Sequence, residues 1–138
     1  MQKIYLDNAA TTQVRKEVIE RMQEALAQQY GNPSSTHSFG RSAKTAVEQA
    51  RKTIAKTLNA QPSEIIFTSG GTEADNMILR CAVRDLGVET IITSKIEHHA
   101  VLHTVEELEK EYRINVWYVD LDEFGSPDME HLEELLKK

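Results

Sequence analysis

A chain of 138 residues is one domain's length, enough for a hydrophobic core and too short for two comfortable domains. With 40% apolar and 28% charged side chains and only 3 prolines, it has the composition of an ordinary globular protein, not a disordered one. The formal charge of −6 argues against a nucleic-acid partner, and no apolar run reaches the length of a membrane span. The opening MQKIYLDN lacks an apolar signal core, so the expectation is a cytoplasmic protein with neither nucleic acid nor membrane as partner. A single cysteine, Cys81, excludes an intrachain disulfide and any CxxC metal or redox motif.

In chain order, IYLD reads as a short strand or extended arm, and NAATT as a small polar turn. From Val14, apolar residues recur at Val18, Met22, Leu26 and Tyr30, with Ile19 and Ala25 alongside, which predicts a helix with one buried face. Gly31-Asn32-Pro33 ends it. The hydroxyl-rich loop SSTHSFGR follows, long for a passive connection. A second helix is expected from about Arg41 to Leu58, burying Ala43, Ala46, Val47, Ala50, Ile54 and Leu58.

After a turn at residues 59–63 the pattern alternates. EIIFTS reads as a strand, TEADNMILRCAVRDLG as a helix closed by Gly87, and ETIITS as a second strand. IEHHAVLHTVEELEKEY reads as a helix, INVWYVDL as a third strand, and MEHLEELLKK as a last helix beyond the turn DEFGSPD. Strand–helix alternation predicts an α/β fold with a mainly parallel sheet and crossover helices. Strands this continuously apolar fit a sheet covered on both faces. A parallel sheet of three strands would leave open edges, so the expectation is that these residues are part of a larger domain.

Two strand–helix junctions could carry chemistry. In FTSGGTEADN, the glycines allow a sharp turn and close approach to a ligand, and Thr72 stands near a helix N-terminus that favours an anion. The plainer alternative is that Ser69 or Thr72 only caps the helix. The stretch matches neither GxGxxG nor GxxxxGK[ST], which disfavours nucleotide binding by those fingerprints. In TSKIEHHAVLH, His98 could stack on or hydrogen-bond a flat ligand above the strand ends. His99 and His103 are four apart, but Ala100 stands where HExxH needs its glutamate, so no metal site is expected. Cys81 reads as a small buried hydrophobe, Lys95 as a solvated lysine rather than a Schiff-base donor, and Trp117 and Tyr118 as packing residues.

With these residues laid out, the chain resembles the N-terminal part of cysteine desulfurases, in the class-V aminotransferase branch of fold-type-I pyridoxal-phosphate enzymes. The resemblance rests on IYLDNAATT at residues 4–12, YGNPSSTHSFGR at 30–41, EIIFTSGGTEADN at 64–76 and TSKIEHHAV at 93–101. It implies that Gly71 and Thr72 bind the phosphate of pyridoxal 5'-phosphate. It implies further that His98 stacks on the pyridine ring with proton transfer as a second role, and that Asn8, Ala9 and Ala10 border the substrate pocket. Residues 1–14 would be an N-terminal arm joining the small domain, and residues 15–138 the N-terminal portion of the cofactor-binding large domain.

The implied reaction takes sulfur from L-cysteine, leaving L-alanine and an enzyme persulfide for an acceptor or scaffold protein, in a homodimer. The family's anchoring lysine, its aspartate on the pyridine nitrogen and its persulfide cysteine match nothing in these 138 residues, so this stretch alone is expected to be inactive. Two rival readings are another class-V enzyme, such as a selenocysteine lyase or a kynureninase-like hydrolase, and a non-catalytic module that binds a phosphate or a protein.

Overall fold

A computed structural model describes residues 4–138. They form two compact units, residues 4–66 and 67–138.

In the first unit, residues 4–15 carry no helix or strand, and the expected turn is present, with the N–H groups of Ala10 and Thr11 donating to the Asp7 carbonyl. IYLD therefore forms no strand. Helix α1 spans Lys16–Gln28 and α2 spans Ser38–Thr57. Helix α2 starts earlier than its apolar pattern announces, because the His37 imidazole caps it by accepting from the Gly40 N–H at 3.4 Å. The loop before it is bound to the helix start. A Cβ on Gly40 would lie 2.4 Å from the Ser35 carbonyl oxygen, and one on Gly31 2.5 Å from the Phe39 backbone. Only glycine allows that approach.

Burial departs from expectation here. Ala43 is buried as read, together with Ala55, but Val47, Ile54 and Leu58 stay exposed, and α1 buries none of its apolar stripe. Periodicity specifies a face; it does not supply the surface that covers it.

The second unit runs α3 (Gly71–Arg84), β1 (Thr90–Thr93), α4 (His99–Tyr112), β2 (Asn115–Tyr118) and α5 (Met129–Leu136). Strands β1 and β2 are parallel, in register from Thr90 opposite Asn115 to Thr93 opposite Tyr118, with α4 as the crossover. This is the expected βαβ unit. Leu79 and Val83 of α3, Leu108 of α4, and Ile91, Ile114 and Val116 on and beside the strands pack into its core. Gly87, at φ +70°, closes the chain after α3.

The strand expected at EIIFTS is absent. β1 and β2 pair only with each other among the described residues, and Ile66 and Phe67 are 64% and 47% exposed. A strand is defined by its partner ladder, and an apolar run without one remains an extended connection. For the same reason the sheet has two strands and not three. Their residues are at most half-buried, so the reading of a sheet covered on both faces does not hold for this pair. No helix among the described residues is long and apolar enough to cross a membrane.

Candidate functional site

The junction at residues 67–76 is built from backbone. Helix α3 has Gly70 as its N-cap, so Gly71 and Thr72 are its first two helical residues. Gly70 is extended at φ 166° and Gly71 is helical, so neither torsion requires glycine. This corrects the expectation that the glycines serve a sharp turn. Packing does not require them either: a Cβ at Gly70 or Gly71 would meet no atom within 4 Å. The bare backbone lies open.

The first turn of a helix leaves N–H groups without intrahelical partners. One nearby donor is used, because the Ser69 N–H gives a 2.6 Å hydrogen bond to the Glu73 carboxylate. That bond, with the Ser69 hydroxyl, holds the Glu73 carboxyl below its ordinary value. The N–H groups of Gly71 and Thr72 and the Thr72 hydroxyl have no acceptor among the described residues. Neither Ser69 nor Thr72 caps the helix through its side chain; the side chain that engages this helix start is Glu73.

His98 stands one crossover later, as the N-cap of α4. Its Nδ1 accepts from the Ala100 N–H at 3.1 Å. The capping bond orients the ring and leaves Nε2 as its outward nitrogen. Thr72 and His98 line a single depression of about 280 Å³ with Asn76, His99, Ala100, His103, Thr104 and Glu107. Its floor is polar and connected. Asn76 Nδ2 donates to the Thr72 carbonyl at 2.9 Å and to the Ala100 carbonyl at 3.4 Å, and the Thr104 hydroxyl donates to Asn76 Oδ1 at 2.8 Å. Below it, Arg80 of α3 pairs with Glu107 of α4 and lies 3.9 Å from Glu111. The two helices are thus bound side by side with both N-termini at the depression.

Asn8 lines a hollow with Tyr5, Thr11, Thr12 and Gln13 in the first unit, and Ala9 and Ala10 are exposed there. His99 and His103 stack at 5.0 Å, but no group of three or more metal-capable side chains forms among the described residues. Cys81 is half-buried and so less enclosed than expected. Lys95 is exposed, its ammonium 5.8 Å from the Tyr118 ring centroid. Asn76 and Thr104 are the site residues that the sequence reading missed. Asn76 lies one turn beyond Thr72, but nothing local marks Thr104 as its partner.

The sequence profile of the class-V aminotransferases matches residues 4–138. The chain belongs to that family. It is 48% identical to the cysteine desulfurase IscS of Dictyoglomus turgidum, over 99% of this chain and 35% of that protein. With the putative cysteine desulfurase IscS 1 of Bacillus subtilis the identity is 47%, over 99% of this chain and 36% of the other. Among solved structures, a NifS-like protein superposes with a TM-score of 0.90 at 42% identity, covering 97% of this chain and 37% of its own. SspA in complex with cysteine gives 0.79 at 39% identity, covering 91% and 37%. The class-V fold is therefore shared, and the chain spans about a third of the length of the relatives it matches.

Proposed function

We propose that the protein carrying this chain is a pyridoxal-phosphate-dependent cysteine desulfurase, which takes sulfur from L-cysteine and leaves L-alanine and a cysteine-bound persulfide for an acceptor or scaffold protein. One observation carries the reading: Thr72 and His98 open on the same depression, at neighbouring helix N-termini whose amides at positions 71 and 72 are unclaimed. Relatives named cysteine desulfurase, and the neighbour SspA solved in complex with cysteine, favour this chemistry over the selenocysteine and kynurenine alternatives.

The residues present suit the cofactor. Two free N–H groups and a hydroxyl at the positive pole of α3 are a donor set for a phosphate dianion. The side-chain-free backbone at Gly70 and Gly71 lets that anion approach. When bound, the cofactor supplies the electron sink for carbanion chemistry on the amino acid. In this reading Gly71 and Thr72 hold the phosphate and His98 lies against the ring. The outward Nε2 of His98 holds or passes a proton beside the reacting amino acid. Asn8, Ala9 and Ala10 border the substrate pocket, residues 1–14 join a small domain, and the working form is a cytoplasmic homodimer.

The test is turnover by the protein: L-cysteine with a thiol reductant should yield sulfide and L-alanine in equal amounts. Turnover of kynurenine in place of cysteine, or none of either, would overturn the assignment. Residues 1–138 alone form no stable covalent link to the cofactor and release no sulfide, because none of their lysines matches the anchoring position. Sulfide from that stretch would refute this narrower statement.

A further inference from the structure

Two side chains lie beneath the depression without facing a ligand as anchors do, and their hydrogen bonds form one connected path across it. Asn76 of α3 is one turn after Thr72 and bonds back to the Thr72 carbonyl at 2.9 Å. The same amide group reaches across to the Ala100 carbonyl of α4 at 3.4 Å. Its oxygen accepts from the Thr104 hydroxyl at 2.8 Å, and that hydroxyl also lies 2.7 Å from the Ala100 carbonyl. Ala100 in turn gives its N–H to His98 Nδ1 at 3.1 Å. The path therefore runs from the residue proposed to hold phosphate, through Asn76 and Thr104, to the residue proposed to meet the ring.

We propose that Asn76 and Thr104 are positioning residues: a clasp that fixes the spacing between the anion-binding N-terminus of α3 and the His98 ring at the N-terminus of α4. The inference rests on the cofactor site described above and adds to it the pair that sets its span. Elsewhere α3 and α4 meet through the apolar side chains Leu79, Val83 and Leu108, which do not fix how far one helix slides along the other, and through Arg80 with Glu107, a pair of long, solvent-exposed side chains that holds the register less tightly than short buried ones. Hydrogen bonds are directional and do fix that register. Thr104 is 3% exposed, so its hydroxyl is committed to Asn76 and Ala100 and not to water. A ligand gripped at both ends gains from a correct span, whereas a ligand gripped at one end is indifferent to it.

That asymmetry is the test. The probes are inorganic phosphate, which meets α3 alone, and pyridoxine 5'-phosphate, which has ring and phosphate but no aldehyde to react with surface lysines. Both are titrated calorimetrically into the full 138-residue chain and its variants. In the unmodified chain pyridoxine 5'-phosphate should bind more tightly than phosphate. Asn76→Ala and Thr104→Val should each weaken pyridoxine 5'-phosphate by roughly tenfold and leave inorganic phosphate within about twofold. Thr104→Ser, which keeps the hydroxyl, should restore the difference.

Unchanged pyridoxine 5'-phosphate affinity in both variants overturns the clasp while leaving the site itself standing. So does a parallel loss for both probes, which marks a general loosening of the fold. An unmodified chain that prefers neither probe overturns the site reading, and the clasp with it. Thermal unfolding is recorded for each variant, and if Asn76→Ala does not fold, the contrast between Thr104→Val and Thr104→Ser decides.

Discussion

The two units of this chain use the same local signal with opposite results. Residues 67–138 close a core around Val105 and Leu108, both fully buried, because a βαβ crossover brings strands and helices of one short stretch face to face. Residues 4–66 carry an equally regular apolar stripe on α1, yet Met22 is 56% and Leu26 76% exposed. Charge divides in the same way: residues 1–66 hold nine basic and six acidic side chains, and residues 67–138 seven and sixteen. An amphipathic pattern states which face is apolar. Whether a neighbour covers that face is decided outside the element itself.

The contrast breaks most directly by truncating one side chain in each unit. Leu108→Ala should cost about 2–5 kcal/mol, since it empties a site at the centre of the α3–α4–strand core. Met22→Ala removes a side chain already facing solvent and should stay within about 0.5 kcal/mol. Urea unfolding midpoints measure both. A comparable loss at Met22 would show that α1 is covered in solution after all.

What the sequence made legible follows the same division. Helices were readable throughout, since their hydrogen bonds are internal and their periodicity survives exposure: α1, α3, α4 and α5 fall where the pattern places them. The parallel pair β1 and β2 was readable because a helix of crossover length separates two apolar runs. EIIFTS failed as a strand because pairing is a property of two segments and not of one. At the site, the helix N-terminus behind Thr72 and the capping position of His98 follow from local residue types. The bonds joining Asn76 to Thr104 and Ala100 span 28 and 24 positions and are invisible to any local pattern.

Glycines sharpen the comparison next. Gly40 sits where a Cβ would meet backbone oxygens of Ser35 and Asn32 at 2.4 and 2.6 Å. Gly40→Ala must push the 31–36 loop off α2 and should cost about 1–3 kcal/mol. Gly71→Ala meets nothing within 4 Å in a helical residue and should leave stability within about 0.5 kcal/mol. A substantial loss at Gly71 would mean that the bare backbone there serves folding and not a ligand.

Arg113 offers a gain in the second unit. It ends α4 in the left-handed region at φ 57°, a conformation that glycine adopts without the clash between Cβ and carbonyl. Arg113→Gly should stabilise the chain by about 0.5–1 kcal/mol, read as a rise in the thermal midpoint. A fall would show that the guanidinium at the helix C-terminus outweighs the torsion.

The smallest expected effect tests the electrostatics of the candidate site itself. The Glu73 carboxylate accepts the Ser69 N–H at the start of α3, and this bond lowers its folded-state value below the ordinary 4.5. A carboxylate with a depressed folded value contributes stability above its unfolded value, and that contribution disappears as pH falls through the lower folded one. Glu73→Gln should therefore be slightly less stable than the unmodified chain at neutral pH and equal to it at strongly acid pH, with the curves meeting below 4.5. The side chain is exposed, so the gap is small and shrinks with salt. Paired urea titrations across the acid range measure it. A gap independent of pH would assign Glu73 a role in shape alone, with its charge contributing nothing at the start of α3.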